Sequence, residues 1–368
     1  MKIDIYSRFD ENIKQIWLRF EKDNDILPFQ KFDWLNQWYK FVGLPLFSIY
    51  PQIVHIELDG ETALILPFGL RTKYGIKILE WLGGINTDYM GPLINNKSIK
   101  LLENNNIWSK IRQKIKKHDL IHLEKQTLLT IDILKKIGFK SRGNENLKSF
   151  QTELLPSWDD YAMKISKKVK SDSRRQRRRL GEIGNLKFNF AEDNENKERI
   201  IELMINQKKR RYNETKVWDM FSINEYNNFY KSLSTLDPLN SFIHCSELRV
   251  DNNTIATHVG ITNSSTFYYL MPAHEAGEWE KYSPGRLLLI ELLKWAIKNN
   301  KKIFDFTVGG EKYKKVWCDL NLDLFEILYP VTFKGRIMIK IISLKLFLKK
   351  IIKSNKSIEK LIRFILGY

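Results

Sequence analysis

Residues 282–286 read Tyr282-Ser283-Pro284-Gly285-Arg286 and stand between a strand-like run and a strongly apolar helical stretch. Ser283 suits a helix N-cap, and Pro284 suits the first helical position, where its missing N–H costs nothing. A helix that starts here offers free backbone amides and a positive dipole end, which together favour phosphate binding. Gly285 lets a phosphate approach the backbone closely. The segment alone also fits an ordinary capped helix, so its neighbours decide its meaning.

The strands on either side of this turn indicate what it could bind. The strand before it covers residues 266–272 and ends in Pro272, which cannot donate to a ladder. We therefore expect the sheet to part there and to leave backbone groups near Met271 unpaired. After the helix, residues 303–314 give a strand, the turn Gly309-Gly310 and a polar helix start. A helix start beside a parted sheet predicts a site for a phosphate-bearing molecule.

One order of elements occurs twice along the chain: hairpin, loop, helix, strand, helix, strand. Asp59-Gly60 joins two apolar runs in the first copy, and Asp251-Asn252-Asn253 does so in the second. The repeat predicts an α+β fold of two tandem domains, each a mixed and mostly antiparallel sheet flanked by helices. We place the first half at residues 1–155, the second half at 156–335, and a basic amphipathic helical tail at 336–368.

The net charge of +18 is concentrated in two stretches. Residues 164–179 carry nine basic residues and one acid, and residues 334–368 carry ten basic residues and one acid. The sequence has no helix-turn-helix pattern, zinc-ligand spacing or aromatic-basic RNA-binding motif, so we expect no DNA binding. It also lacks the Gly-x-Ser-x-Gly, P-loop and His-Glu-x-x-His patterns, and we expect no metal.

Localisation follows from three features. Charged residues follow Met1, no apolar stretch reaches spanning length, and the cysteines are Cys245 and Cys318. These features predict a cytoplasmic protein in a reducing compartment. The tail is an amphipathic helix that either packs onto the second domain or makes a peripheral contact with the inner membrane. Its apolar positions are Ile337, Ile341, Leu344, Leu348 and Ile351.

Three segments resemble the GCN5-related N-acetyltransferase (GNAT) superfamily, and above all its two-domain cellulose-biosynthesis-type branch, which is related to the peptidoglycan aminoacyltransferases. They are residues 173–180, 282–289 and 305–313, and the resemblance covers residues 27–330. It implies acyl-CoA as the co-substrate. The superfamily's phosphate loop reads Gln/Arg-x-x-Gly-x-Gly/Ala, whereas Tyr282 and Leu287 stand at its two ends here. This departure keeps a charged tRNA open as the donor.

The resemblance implies where the donor binds and what chemistry the site needs. An amine attacks the thioester directly, so a base, an oxyanion donor and an acid for the thiolate are required. A backbone N–H near Met271 would hold the oxyanion. Tyr313 resembles the superfamily's thiolate-protonating tyrosine, although it could equally be a packing aromatic. The donor-binding residues would be Met271, Tyr282, Ser283, Pro284, Gly285 and Arg286.

The candidate base comes from a strand pattern. Alternation puts Ala256, His258 and Gly260 on one face, so the histidine stands between two small residues that leave room for a ligand. Its ordinary pKa suits proton transfer near neutral pH. A structural histidine is an equal alternative. Asp305 and Glu311 are rival bases that could instead orient the histidine or cap a turn.

The arginine cluster suggests a phosphate-bearing acceptor. Five arginines stand within residues 174–179. We predict that Arg174, Arg175, Arg178 and Arg179 grip phosphate at the cleft between the domains, with a solvated linker helix as the alternative. A second, weaker candidate is the run of four basic residues at 208–211. Asp88 and Tyr89, in the central loop of the first half, would contact the acceptor.

The sequence therefore predicts an acyl-CoA-dependent N-acyltransferase, and the resemblance implies its substrates. Acetyl or hydroxybutanoyl would pass to the amino group of a nucleotide-linked amino deoxysugar for bacterial surface polysaccharide, such as lipopolysaccharide O-antigen. An aminoacyl-tRNA-dependent transferase that extends a peptidoglycan precursor is one alternative. A non-catalytic partner in polysaccharide synthesis is the other. We expect a monomer whose partners are coenzyme A and a phosphate-bearing amino sugar.

Overall fold

The computed structural model describes residues 1–102, 106–139, 144–236 and 242–354. Within these residues, strands and helices alternate around one mixed sheet, which confirms the predicted α+β class. The strands are β1 (Lys2–Tyr6), β2 (Tyr50–Leu58), β3 (Glu61–Lys73), β4 (Ile76–Trp81), β5 (Leu93–Ile94), β6 (Leu120–Gln126), β7 (Asn144–Glu153), β8 (Leu186–Phe190), β9 (Ile243–Val250), β10 (Asn253–Thr262), β11 (Thr266–His274), β12 (Ile303–Val308) and β13 (Leu320–Pro330). The helices are α1 (Glu11–Asp23), α2 (Phe32–Trp38), α3 (Leu44–Phe47), α4 (Ile99–Leu102), α5 (Ile107–Lys114), α6 (Leu128–Lys136), α7 (Trp158–Lys164), α8 (Lys167–Gly181), α9 (Asn194–Thr215), α10 (Asn224–Ser232), α11 (Pro284–Lys298), α12 (Lys314–Trp317) and α13 (Phe333–Ser354).

The sheet shows the duplication that the order of elements predicts. Its strands run β1-β2-β3-β4-β6-β13-β7-β12-β11-β10-β9-β8, and β5 pairs with β3. Two neighbouring pairs are parallel, β4 with β6 and β11 with β12, and the others are antiparallel. Each parallel pair follows a run of antiparallel strands in its own half. The structure therefore confirms two mixed, mostly antiparallel units in tandem.

The predicted hairpin turns form where the sequence places them. Between β2 and β3, Asp59 has a φ of 50° and Gly60 a φ of 85°. Between β9 and β10, Asp251 has a φ of 50°. Glycine and aspartate tolerate this left-handed conformation, which matches the twist of a tight hairpin. The turns fix the register of the strands on either side.

The two halves exchange their last strands. The first half ends in β7, which pairs antiparallel with β12 of the second half. The second half ends in β13, which pairs antiparallel with β6 of the first half. β7 and β13 also pair with each other. The predicted bounds at residues 155 and 335 follow the order of the chain, but each half of the sheet is completed by a strand from the other.

The apolar core joins the halves as well. One cluster of buried side chains lies under α5 and α6 in the first half, and another lies under α11 in the second half. The largest cluster contains residues of both halves. Within it, the ring of Trp34 on α2 packs edge-on against Phe229 on α10, with 5.1 Å between their centres. Because apolar burial is the main stabilising term in folding, this shared core holds the halves together.

The tail helix α13 packs on the first half. Met338 is buried against Ile78 of β4 and Leu120 of β6. The packing alternative placed the tail on the second domain, and the structure corrects this because β13 delivers the chain to the first half. The later part of the predicted tail, residues 355–368, lies outside the described residues. Within residues 333–344 of the helix, the exposed apolar side chains are Phe333, Ile337, Ile341 and Leu344.

Candidate functional site

An opening separates β11 from β12 in the second half. These strands pair only where Thr266–Tyr268 meets Ile303–Asp305, whereas β11 stays paired with β10 as far as His274. The register between β10 and β11 shifts beyond Tyr268, which marks a β-bulge. The sheet therefore parts earlier along β11 than the sequence predicted. The predicted break was at Pro272, and Pro272 itself stays opposite a β10 residue. Met271, the predicted oxyanion donor, lies in the parted segment.

The start of α11 is the predicted donor turn. Pro284 is the first helical residue, as expected. Ser283 is at the N-cap position, as predicted, but it has a left-handed φ of 53° and its side chain makes no capping hydrogen bond. Its carbonyl instead accepts from the amides of Arg286 at 3.0 Å and Leu287 at 3.2 Å. In the described part of the chain, the Gly285 amide has no hydrogen-bond partner and is left for a phosphate.

The helix start and the parted strand touch each other. A Cβ on Gly285 would lie 3.3 Å from Nδ1 of His274, the last residue of β11. Burial and nearby arginines lower the pKa of His274, so its ring is neutral at pH 7. The Nε atom of Arg286 is buried and has no partner among the described residues. Gly285 and Arg286 therefore each carry a donor that the described residues leave unsatisfied.

The arginine-rich helix α8 lies against this donor turn. The guanidinium of Arg179 is 5.0 Å from the ring centre of Tyr282, a cation–π distance. Arg177 pairs with Glu291 on α11 at 2.5 Å. Arg174 lines a cavity of about 200 Å³ between α7, α8 and α11. The side chains that α8 buries are Ser173, Gln176 and Leu180.

This placement corrects the prediction for the arginines. The sequence put Arg174, Arg175, Arg178 and Arg179 at the cleft between the halves, whereas α8 packs beside the donor turn of the second half. Arg175 and Arg178 are exposed, and each pairs with an acid in or next to α8. The sequence showed neither which of these arginines face inward nor which surface would receive the buried face of the helix.

The halves meet at a buried carboxylate. Tyr89 donates from its hydroxyl to both oxygens of Asp305, at 3.0 and 2.8 Å. Gln151 on β7 donates to the same carboxylate at 2.7 Å, and so does the Thr307 amide at 2.7 Å. Asp305 is 1% exposed, and burial raises its pKa to about 7. Its lone pairs are occupied, so it positions the first-half loop and β12 and offers no free edge to a substrate.

A strained turn follows Asp305. Thr307 has a φ of 60°, an unusual value for a β-branched residue, and the β7–β12 register shifts here. The buried Lys314 ammonium holds the turn by donating to the carbonyls of Thr307 at 3.4 Å and Val308 at 3.0 Å. Glu311 pairs with Lys314 at 2.9 Å and is itself half exposed. Such strain, held by surrounding contacts, occurs often at functional sites.

Asp88 is a partly buried carboxylate near the end of β12. Its side chain is 22% exposed and lies 3.9 Å from the Lys125 ammonium. Burial raises the pKa of Asp88, while Lys125 and a hydrogen bond with Thr307 act in the opposite direction. Lys125 also donates to the Thr87 carbonyl at 2.7 Å, which fixes the loop. The structure thus joins the predicted acceptor residues Asp88 and Tyr89 to the β12 end of the opening.

His258 lies elsewhere, inside the core. It is 0% exposed, and its ring stacks on Tyr269 with 4.7 Å between centres. Burial lowers the pKa of His258 well below its usual range. The strand alternation places His258 and Gly260 on one face, as predicted, but the His258 ring itself fills the space that Gly260 leaves. A Cβ at Gly260 would overlap this ring. The structure therefore argues against His258 as the base.

Tyr313 borders the opening. Its side chain is 39% exposed, and its ring lies 6.4 Å from that of Phe306 on β12. Burial of the hydroxyl raises the pKa of Tyr313, so the group carries its proton at neutral pH. A protonated hydroxyl at this place can donate to a leaving thiolate. That role stays a prediction.

Helix α9 supplies residues that the sequence ranked low. Arg210 binds the His274 carbonyl and Glu275 at the end of β11. Lys208 makes no hydrogen bond or ion pair with the described residues, and burial lowers its pKa to about 8. In the sequence, the only sign of a functional role for these residues was the basic run at 208–211, which by itself is also typical of a solvated helix face. Tertiary packing sets the rotation of α9 that turns Arg210 toward β11.

Comparisons with known proteins agree with this architecture. Residues 167–315 match the family described as "Acetyltransferase (GNAT) domain". The crystal structure of FemX has 12% identity and a TM-score of 0.63, and the match covers 89% of this chain and 98% of that chain. L-PGS from Bacillus licheniformis has 11% identity and a TM-score of 0.55, with coverage of 91% and 97%. Curated protein sequences gave no match.

A third structure has the same fold. The C-terminal domain of a putative lysylphosphatidylglycerol synthetase from Agrobacterium fabrum has 7% identity and a TM-score of 0.53, with coverage of 89% and 95%. At such identities these structures show the fold alone, whereas the family match covers α8, the opening and the donor turn. The chain therefore carries a GNAT-type acetyltransferase domain at residues 167–315, and its fold as a whole is the one that these structures have.

Proposed function

We propose that this protein transfers an acyl group from a thioester donor to an amine held between its halves. The observation that carries the proposal is that Asp88 and Tyr89, from the first half, meet Thr307 and Asp305 at the end of β12, the strand from which β11 parts. The donor phosphates lie at the Gly285 amide, and the acyl chain enters the opening. The amine arrives from the side of Asp88.

The chemistry follows from this placement. The amine nitrogen bonds to the thioester carbonyl carbon, and the carbon–sulfur bond breaks. Asp88 accepts the proton that the amine loses, and Tyr313 donates a proton to the departing thiolate. Backbone N–H groups on the parted edge near Met271 hold the oxyanion. Asp305 does not touch the substrate and keeps Tyr89 and Thr307 in place.

For the substrates, we propose acyl-CoA as donor and a nucleotide-linked amino deoxysugar as acceptor. The sugar rests on the resemblance to the two-domain branch. The arginines no longer support a phosphate on the acceptor, because Arg179 and its neighbours lie beside the donor turn. They support a phosphate-bearing donor.

An aminoacyl-tRNA donor is the second candidate, and one observation favours it. Arg175 and Arg178 are exposed on α8, the basic helix whose Arg179 contacts Tyr282 of the donor turn. A basic surface of this kind suits a nucleic acid backbone. The choice between the donors rests on which molecule binds at Gly285.

Replacing Gly285 with Val tests the donor site. We expect the wild-type protein to bind coenzyme A with micromolar affinity and Gly285→Val to bind at least about tenfold more weakly, because the new side chain crowds His274 and the phosphate. Isothermal titration calorimetry measures both. Gly181→Val is the control, since a Cβ at Gly181 meets open space. No coenzyme A binding, together with amino-acid transfer from charged tRNA, would replace acyl-CoA by the second candidate.

We further propose that α13 attaches the protein to anionic membranes. Ile337 and Ile341 are exposed on the helix among lysines, while Met338 is packed against the sheet. Among the described residues, no helix has both the length and the apolar character needed to cross a bilayer. An amphipathic helix with this pattern lies flat in the headgroup region.

Vesicle sedimentation tests the attachment. Wild-type protein should pellet with phosphatidylglycerol vesicles, and replacing both Ile337 and Ile341 with Ser should lower the bound fraction about tenfold, because two apolar side chains no longer enter the lipid. Ile183→Ser serves as the control, since Ile183 is equally exposed but lies outside α13. Equal pelleting of the wild type and the double variant would contradict the proposal.

A further inference from the structure

A second concave surface lies on the α9 side of the second half. Its volume is about 560 Å³, and it is formed by α9, the turn between β9 and β10, and the residues that follow β11. This size is in the range of small-molecule sites. The acyl transfer proposed above uses none of the residues at its centre, which are Arg199, Arg249 and Trp279.

One guanidinium of this cavity, that of Arg249, is only weakly paired, and its Nη2 donates to the Asn252 carbonyl at 3.4 Å. Glu247, which is buried beneath it, accepts two hydrogen bonds from Arg199, at 3.0 and 2.8 Å, and one from Thr254 at 2.8 Å. Arg249 reaches Glu247 only at 3.9 Å. Its Nε is buried and has no hydrogen-bond partner in the part of the chain that the structure describes. Glu275, also at the rim, is paired with Arg210. Arg199 and Arg249 therefore share the single carboxylate of Glu247, and the cavity has an excess of positive charge on the Arg249 side.

An arginine in this state favours an anionic oxygen group. Its guanidinium presents a planar set of donors that matches phosphate or carboxylate, and the unused Nε lies on one edge of that set. A buried donor without a partner is uncommon in folded proteins, so a bound acceptor is the simplest reason for it.

Part of the cavity wall is aromatic and apolar. Trp279 and Leu203 line it, and the Trp279 ring lies 6.4 Å from that of Tyr282 in the donor turn. An indole ring offers a flat surface on which a planar heterocycle stacks. A ligand that satisfies Arg249 and this wall carries a phosphate and a planar ring.

We propose that this cavity binds a nucleotide, with a phosphate on Arg249 and the base against Trp279. Trp279 and Tyr282 belong to the same 3₁₀ helix, Gly277–Tyr282, which leads directly into α11. Occupancy of the cavity therefore fixes the helix that precedes the donor turn. The binding itself does not depend on the acyl transfer proposed above.

Calorimetric titration of the full chain with ADP tests this site. We expect wild-type protein to bind ADP, and Arg249→Gln and Trp279→Ala each to weaken binding at least about tenfold, because one removes the phosphate donor and the other removes the stacking surface. Lys187→Gln is the matched control. Lys187 lies directly opposite Arg249 in the β8–β9 pair and is exposed outside the cavity.

The outcomes separate this site from the donor site. The proposal is overturned if wild-type protein does not bind ADP, or if Lys187→Gln weakens binding as much as Arg249→Gln does in equally stable proteins. Gly285→Val should retain ADP binding. Coenzyme A that displaces ADP would identify the ligand as the nucleotide end of the donor, and independent binding of the two would identify it as a free nucleotide. Both results support a nucleotide in this cavity.

Discussion

Replacing Asp305 with Ala should lower the free energy of unfolding by about 3–5 kcal/mol and abolish measurable acyl transfer. The change leaves the Tyr89 hydroxyl, the Gln151 amide and the Thr307 N–H without their shared acceptor. Each buried donor left unpaired costs about 1–3 kcal/mol. Activity falls because the loop that carries Asp88 loses its attachment to β12. Chemical denaturation and a thiol-release assay, with acetyl-CoA and a UDP-linked amino deoxysugar, measure the two effects.

Two variants sharpen this test. Tyr89→Phe removes one donor and should lower the free energy of unfolding by about 1–2 kcal/mol.

Asp305→Asn tests how the ionisation of Asp305 affects stability. Since burial raises the pKa of Asp305 from 3.8 to about 7, the folded state binds this proton more tightly than the unfolded state. The resulting stabilisation is complete below about pH 4 and is lost as the pH rises through 7, and Asp305→Asn should lack this dependence. Wild-type stability in Asp305→Ala would contradict the positioning role.

Replacing Asp88 with Asn should lower turnover by about 10²–10⁴-fold while coenzyme A affinity and stability stay near the wild type. The amide keeps the shape of the side chain but cannot accept the proton of the amine. Because the pKa of Asp88 is raised, wild-type turnover should fall at acidic pH above the range of an ordinary aspartate. The same thiol-release assay measures turnover, with coenzyme A affinity taken from calorimetry.

Glu311→Gln is the control for Asp88→Asn, because Glu311 is a half-exposed carboxylate near the same opening. We expect this variant to keep most of its turnover. If Asp88→Asn turned over at the wild-type rate and Glu311→Gln did not, the base would be Glu311. Loss of coenzyme A binding in Asp88→Asn would instead show that Asp88 shapes the donor site.

Local patterns in the sequence predicted the elements of this fold well. The hairpin at Asp59-Gly60 and the helix that starts at Pro284 depend on backbone preferences of a few adjacent residues. The exchange of β7 and β13 could not be predicted in the same way. Strand pairing over more than 150 residues depends on which edges remain open after the rest of the sheet has formed, and no short motif encodes that.

In the candidate site, too, local features could be predicted from the sequence and long-range packing could not. Asp88, Tyr89 and Asp305 were chosen for their loops and strand ends, and the structure brings them together. His258 was chosen because alternation gave it small neighbours, but alternation does not show what covers a sheet face. The arginines of α8 were placed at the wrong surface for a related reason, since helix periodicity gives relative directions only.

The exchanged strands also determine when this protein can fold during synthesis. The first half of the sheet contains β13, whose last residue is Pro330, so it stays incomplete until nearly the whole described chain has left the ribosome. Until then β6 presents an open edge of the kind that pairs with other chains. A nascent chain that stalls before β13 would be exposed to aggregation, although all of the residues of its first half are already made.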